Sequence, residues 1–134
     1  MSSRMMVAGL ILGIVMGMGI GQALPSFASS YRCERDRFPA TVERWVDGDT
    51  AVVSIDLGLD VVLKGQYLRL ARVNTPERGQ PGYDEATKLS ERTCSGDVEV
   101  VISGKGKYGR WISEVVCNGV NLNDKLRARG WTYD

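Results

Sequence analysis

The run Ala40-Thr41-Val42-Glu43-Arg44-Trp45-Val46-Asp47-Gly48-Asp49-Thr50-Ala51-Val52-Val53-Ser54-Ile55-Asp56-Leu57 carries the reading of the fold. Ala40–Val46 is rich in β-prone residues, and Asp47-Gly48 between two such segments is a strong hairpin signal. Past the turn, Ala51, Val53, Ile55 and Leu57 alternate with Thr50, Val52, Ser54 and Asp56. That two-residue period belongs to a strand with one buried face. Gly58 breaks the run. Val61–Leu63 and Tyr67–Val73 resume it, with Lys64-Gly65-Gln66 as a turn or bulge between them. A three-stranded meander follows.

Downstream, Glu77–Pro81 is a polar loop and Gly82–Cys94 reads as a helix. Asp84 and Glu85 favour its N-terminal end, Arg92 its C-terminal end, and Ser95-Gly96 closes it. Ala86, Leu89 and Thr93 form its inward face. Val98–Ile102 and Arg110–Cys117 are strands joined by the Gly/Lys loop Ser103–Gly109. A last helix spans Leu122–Arg129, capped by Asn121 with Asp124 three residues on and stopped by Gly130. Five strands, one helix between the third and fourth and a C-terminal helix predict a mainly β, α+β fold: an OB-type, five-stranded Greek-key barrel.

The start of the chain has a different composition. Arg4 precedes an apolar, Gly-rich run, Val7–Ile20, and a small-residue cleavage site with Ser26 and Ala28 at its −3 and −1 positions. The run is short for the ~20 residues of a membrane span. Residues 1–28 are therefore expected to be a cleaved secretory signal, leaving residues 29–134 as one secreted or periplasmic domain. The alternative is a retained anchor with the domain facing outward. Tyr31–Arg37, dense in charge, reads as an exposed lead-in.

Charge and cysteine content narrow the chemistry. The chain has 17 Lys+Arg against 16 Asp+Glu, and Arg4 is the only charged residue of the leader, so the mature domain is formally neutral. No global basic field draws it to nucleic acid, and attraction to a polyanion has to be local or supplied by a metal. The chain contains no His, which excludes imidazole catalysis. A zinc site is disfavoured as well, since no Cys-x-x-Cys spacing is present. If Val98–Ile102 pairs with Arg110–Cys117 about a centre near Lys105–Gly106, Cys94 and Cys117 fall opposite each other within disulfide reach. Cys33 is then the odd thiol.

Candidate site residues gather at the ends of the meander. Leu68-Arg69-Leu70-Ala71-Arg72-Val73-Asn74-Thr75-Pro76-Glu77-Arg78 is an apolar strand with an arginine inside it that ends on an amide, a hydroxyl and a carboxylate. Asp49, at the start of the neighbouring strand, belongs to the same edge of the sheet. These are hard oxygen groups, suited to Ca²⁺ or Mg²⁺. An arginine inside a strand needs an acid or a ligand, and for Arg69 both an ion pair with Asp49 and a phosphate remain open. Arg110 opens the later strand after Lys105-Gly106-Lys107-Tyr108-Gly109. Two guanidinium forks, a metal and a carboxylate able to activate water would make a phosphodiester site.

Asp47-Gly48-Asp49-Thr50, Leu68-Arg69-Leu70 leading to Asn74-Thr75-Pro76-Glu77, and Lys107-Tyr108-Gly109-Arg110 resemble, in order and spacing, the staphylococcal-nuclease-like (thermonuclease) family across about Pro39–Gly130. The resemblance implies an OB-type barrel and a Ca²⁺-dependent hydrolase of DNA and RNA, leaving 3′-phosphate ends. By matching position, Asp49 would be a metal carboxylate and Thr75 would offer its carbonyl. Glu77 would activate water, Arg69 and Arg110 would stabilise the phosphorane, and Lys107 and Tyr108 would contact a terminal phosphate. The substrate would be preferentially single-stranded and the protein a monomer without a stable protein partner.

Three departures from the family pattern stand out. Asn74 occupies the place of the family's second metal carboxylate, so weaker Ca²⁺ binding or tolerance of other divalent ions is expected. The Ser54–Gln66 hairpin is longer than the family type and is expected to project as a loop. Trp131-Thr132-Tyr133-Asp134 stands before the family's third helix and its base-flanking tyrosines. Trp131, Tyr133 or Trp111 could stack on bases in their place, or pack against the core. A catalytically silent OB module that binds nucleic acid or protein is the rival function.

Overall fold

The computed structural model describes residues 36–133. The leader, the lead-in through Arg35 and Cys33 lie outside the described residues. Strands β1 (Arg37–Asp47), β2 (Thr50–Gly58) and β3 (Val61–Leu70) form the expected meander. Helix α1 (Tyr83–Thr93), β4 (Gly96–Lys105), β5 (Trp111–Cys117), a two-residue β6 (Val120–Asn121) and α2 (Leu122–Ala128) follow. The strand order is β3-β2-β1-β4-β5-β6. Parallel pairing of Leu68 with Trp111, Arg69 with Ile112 and Leu70 with Ser113 joins β3 to β5 and closes the five long strands into an OB-like barrel.

β1 serves both halves of the barrel, pairing with β2 on one side and β4 on the other. It turns the corner through irregularities between Val42 and Arg44 and between Trp45 and Asp47, the usual device for bending a strand around a small barrel. The alternation around Ala51, Val53 and Ile55 points these side chains inward, where they meet Leu68, Leu70, Val100, Val115 and the α2 residues Leu122 and Leu126.

Three bonds tie α1 to the β1–β2 hairpin. The Ser90 hydroxyl donates to the Gly48 carbonyl at 2.7 Å, the Tyr83 hydroxyl to the Val46 carbonyl at 2.7 Å, and the Trp45 indole to the Cys94 carbonyl at 2.8 Å. The turn is thus anchored from outside the sheet as well as from within it.

Three sequence expectations change. The Ser54–Gln66 segment is a paired ladder with Ile55 opposite Leu63, Asp56 opposite Val62 and Gly58 opposite Val61, not a loop. Lys64-Gly65-Gln66 is the bulge of the two alternatives, since Val53 pairs with Gln66 and Ile55 with Leu63. The chain reverses at Leu59 and Asp60, both with left-handed backbone, so a two-residue turn replaces the open loop. β3 ends at Leu70 rather than Val73 because Arg72 adopts φ 64°.

The third change concerns the disulfide. Cys94 and Cys117 are bridged, with Cα atoms 5.7 Å apart, but not as cross-strand partners. Glu99 pairs with Val116 and Val101 with Glu114, which places Cys117 beyond the Glu99–Val116 pair on β5. The hairpin centre lies nearer its tip than Lys105–Gly106, since the arms extend to Lys105 and Trp111. Cys94 reaches Cys117 from the C-terminal end of α1. The bridge, closing a separation of 23 residues, pins helix to barrel and contributes about 3 kcal/mol on chain-entropy grounds.

Candidate active site

Three segments converge at one edge of the barrel. The β1–β2 turn brings Asp47, Asp49 and Thr50, and the end of β3 with the segment after it brings Arg69, Asn74, Thr75 and Glu77. The β4–β5 loop brings Lys107 and Arg110. With Ile112 and Tyr133 they line an open cleft of about 400 Å³. Seven of the eight side chains singled out from the sequence meet there. Tyr108 does not: it is 90% exposed and lines a neighbouring cleft.

Strand register builds the inner wall. Asp47 pairs with Thr50 and Thr50 with Arg69, so the three form one row across β1, β2 and β3. Asp49 is buried, and its Oδ2 lies 3.1 Å from Arg69 Nη1. The same oxygen accepts the Thr75 backbone N–H at 2.9 Å, while Oδ1 accepts the Thr50 hydroxyl at 3.0 Å. Arg69 also donates to the carbonyls of Val73 at 2.8 Å and Leu70 at 3.3 Å. Its Nη2 donates to the Tyr133 hydroxyl at 2.7 Å. The ion pair left open by the sequence therefore exists, in a largely buried setting where surrounding hydrogen bonds offset its desolvation.

Gly48 is required for space. A Cβ there would lie 2.8 Å from the Ala86 Cβ and 2.9 Å from the Thr75 Oγ1. Turn, helix and post-β3 segment thus close on a single hydrogen atom. Asp47, half-buried beside them, accepts the Asp49 N–H at 3.1 Å. Burial, and then the hydrogen bond and charge of Asp49, push its carboxyl up from 3.8 to about 6.

The outer wall is looser. Glu77 is exposed; its backbone N–H donates to Gln80 Oε1 at 2.8 Å, and its carboxylate has no ion-pair partner among the described residues. Arg110 is half-buried, with Nε donating to the Lys107 carbonyl at 3.3 Å and the guanidinium 5.4 Å from the Tyr108 ring centroid. It has no acid partner among the described residues. Asn74 is exposed, held through its backbone N–H to the Trp131 carbonyl at 3.2 Å.

No group of three or more His, Cys, Asp or Glu forms a metal cage among the described residues. The cleft instead mixes the Asp47, Asp49 and Glu77 carboxylates with the Asn74 amide and with Thr75. The Thr75 Oγ1 is buried without a hydrogen-bond partner among the described residues. Hard oxygen donors with few formal charges fit a calcium-like ion that also takes waters or substrate oxygens as ligands. They do not fit a soft metal.

One positioning residue, Asn123, escaped the sequence reading, and Tyr133, named there only as a stacking or packing candidate, positions Arg69. Tyr133 lines the cleft and buttresses Arg69, whereas Trp111 and Trp131 pack against the core. Asn123, fully buried in α2, accepts the Val115 N–H at 3.0 Å and donates to the Ala71 and Ser113 carbonyls at 3.0 Å each. It fixes the turn between Arg69 and Asn74. A polar residue three positions from Leu126 on the apolar side of a predicted helix was the available signal.

Comparison with known proteins identifies a family. The model of the family "Staphylococcal nuclease homologue" matches residues 67–133, half of the chain. The chain is 28% identical over 80 residues to the Staphylococcal-like nuclease CAN1 of Arabidopsis thaliana, a stretch covering 55% of this chain and 24% of that protein. It is 26% identical over 91 residues to an "Uncharacterized 38.1 kDa protein" of Capnoides sempervirens, covering 66% of this chain and 27% of that one. The chain thus spans about a quarter of the length of these curated relatives. With the closed barrel, the inserted helix and the matched strand–loop segments together, the chain belongs to the staphylococcal nuclease homologue family.

Proposed function

We propose that this domain is an exported nuclease that hydrolyses phosphodiester bonds of DNA and RNA, preferring single strands and releasing 3′-phosphate ends. One observation carries the reading. Two arginines, an exposed carboxylate without an ion-pair partner among the described residues and a set of oxygen donors surround one open cleft.

In this reading Glu77 takes a proton from the attacking water. The oxygen adds to phosphorus, the P–O5′ bond breaks, and the 5′-oxygen leaves and is protonated from solvent. Arg110, with no competing acid among the described residues, binds non-bridging phosphate oxygens and gains most as charge builds on them. Arg69 approaches from the inner wall with its position set by Asp49, Val73 and Tyr133. Lys107 and Tyr108 hold a neighbouring phosphate. Asp49, Asn74 and Thr75 would hold the divalent ion, Ca²⁺ by preference, the family being generally calcium-dependent. When bound, such an ion polarises the phosphate and lowers the pKa of a bound water. Residues 1–28 direct export, and residues 29–134 act as a monomer.

A specific observation favours the rival reading, a binding module without turnover. Asn74 lacks the charge of a second metal carboxylate, and Asp49 is already committed to Arg69. Incubating the purified protein with single-stranded DNA and RNA, with Ca²⁺ or with chelator, separates the two. Calcium-dependent release of 3′-phosphate fragments is expected. Binding without cleavage in every divalent ion tried would leave the module reading standing, and cleavage indifferent to chelator would remove the metal from the mechanism.

A further inference from the structure

Beside the catalytic cleft lies a second one, of about 320 Å³, lined by Val46, Asp47, Thr50, Tyr67, Tyr108 and Arg110. It shares Asp47, Thr50 and Arg110 with the first, so the two are compartments of one continuous surface. We propose that this second compartment is a subsite for one unpaired nucleotide of a single-stranded substrate. Tyr67 is the platform for its base and Arg44 the contact for its phosphate. The proposal rests on the nucleic-acid reading of the neighbouring cleft and extends it along the strand.

Strand register sets up the placement. Asp47–Thr50–Arg69 is one row across β1, β2 and β3, and Arg44–Val52–Tyr67, two positions along β2 and β3, is the next on that face. Residues two apart on a strand share a face and lie about 6.8 Å apart, so Tyr67 stands beside Arg69 on the same side of the sheet. The step from one row to the next is short enough for a single unstacked nucleotide to cover.

The Tyr67 and Arg44 side chains of the second row are set up for a ligand more than for the core. Tyr67 is 42% exposed, and its hydroxyl accepts from Arg44 Nη2 at 3.3 Å. The Arg44 cation is thereby held at the rim of the ring. Tyr108, on the β4–β5 loop with left-handed backbone at φ 61°, contributes a second aromatic surface to the same compartment. Aromatic surfaces with guanidinium groups near them make the usual stacking platform for unpaired bases.

Charge decides which part of the nucleotide sits where. Asp47 lies in the wall between the two compartments and repels a phosphate, so the group passing over it is the uncharged base. Phosphates fall to Arg110 on one side and Arg44 on the other. Beyond Arg44, the Glu43 carboxylate is held by the Ser54 hydroxyl at 3.3 Å and the Gly65 N–H at 2.9 Å. A fixed negative charge there ends the track, which limits the subsite to a single nucleotide.

Binding measured on the full-length protein in a Glu77→Gln background, where cleavage is suppressed, tests this directly. A fluorescent hexathymidylate spans both compartments, whereas a 5′-mononucleotide fills the catalytic cleft alone. Tyr67→Leu is expected to weaken hexathymidylate about tenfold, the scale of one lost base–aromatic stack, and to leave the mononucleotide unchanged. Tyr67→Phe keeps the ring but frees Arg44 from the hydroxyl, and should lose much less hexamer affinity than Tyr67→Leu. Arg44→Gln should weaken the hexamer and lower the salt dependence by about one phosphate contact.

A Tyr67→Leu protein that binds the hexamer as tightly as the parent overturns the subsite. Equal weakening of both ligands also overturns it, since that is the mark of a purely structural tyrosine. A parent that binds neither ligand removes the nucleic-acid reading itself, and with it the subsite.

Discussion

Arg69 and Arg110 reach the same cleft in opposite conditions. Arg69 is enclosed: its nitrogens meet Asp49, two carbonyls and the Tyr133 hydroxyl. Arg110 stands on a loop, bonded through Nε to the Lys107 carbonyl and lying against an exposed tyrosine. The inner wall is organised before any substrate arrives, whereas the outer wall, with Glu77 and Lys107 also exposed, is left for substrate to order. This division teaches which residues the fold itself depends on and which only the chemistry does.

The largest effect should come from breaking the inner wall. Arg69→Ala leaves the buried Asp49 carboxylate without its cation and Val73 without its donor. Such a loss typically costs about 3–5 kcal/mol, a large fraction of the stability of a small domain. Urea denaturation should show the shift in midpoint, and nuclease activity should fall about a hundredfold or more in the fraction still folded. Near-wild-type stability would mean that the Asp49–Arg69 pair is dispensable, and the contrast between the two walls would collapse.

The outer wall should behave in the opposite way. Glu77→Gln and Arg110→Ala are each expected to lower the cleavage rate about a hundredfold or more, while unfolding midpoints stay within about 0.5 kcal/mol of wild type. Rates and midpoints measured on the same preparations settle the matter. A destabilised Arg110→Ala protein would show a structural partner for this arginine.

How much of this was legible in the chain follows from the same contrast. Period-two alternation after Asp47-Gly48 and the break at Gly58 gave the meander, because those residues act locally. Seven of the eight side chains singled out line one cleft, in part because register brings Thr50 beside Arg69. Local signals could not reveal Asn123 or the bond of Tyr133 to Arg69, since both roles rest on contacts made across the fold. The disulfide shows the limit most clearly. The pairing was right and its geometric reason wrong, since Cys94 reaches Cys117 from the end of a helix and not across a ladder. The Ser54–Gln66 ladder was missed because its strands carry exposed apolar residues, among them Leu57, Val61 and Val62, and lack the clean alternation that burial enforces.

Asn74, exposed in the outer wall, offers a smaller, sharper test. Asn74→Asp adds a carboxylate to a cleft whose donors are otherwise held in place. Calcium affinity measured by titration calorimetry should rise about tenfold, since ligand charge count tunes the affinity of such sites. Unchanged affinity would remove Asn74 from the metal shell while leaving Asp49 and Thr75 to be tested separately.

The smallest expected effect concerns Asp47, the half-buried member of the inner wall. Its carboxyl in the folded protein is raised from 3.8 to about 6, chiefly by burial and then by Asp49. The folded state therefore binds this proton more tightly than the unfolded chain does. The stability this confers is fully present below about pH 4 and is lost as the pH rises through about 6. Asp47→Asn keeps an oxygen for the Asp49 N–H and removes the penalty of ionisation. In chelator, the variant should be more stable than wild type at pH 7–8, by about 1 kcal/mol once solvent screening of a half-exposed group is allowed for. The difference should shrink to nothing below pH 4. A gain that persists at low pH would point to packing rather than charge, and the inner wall would then owe its order to shape more than to electrostatics.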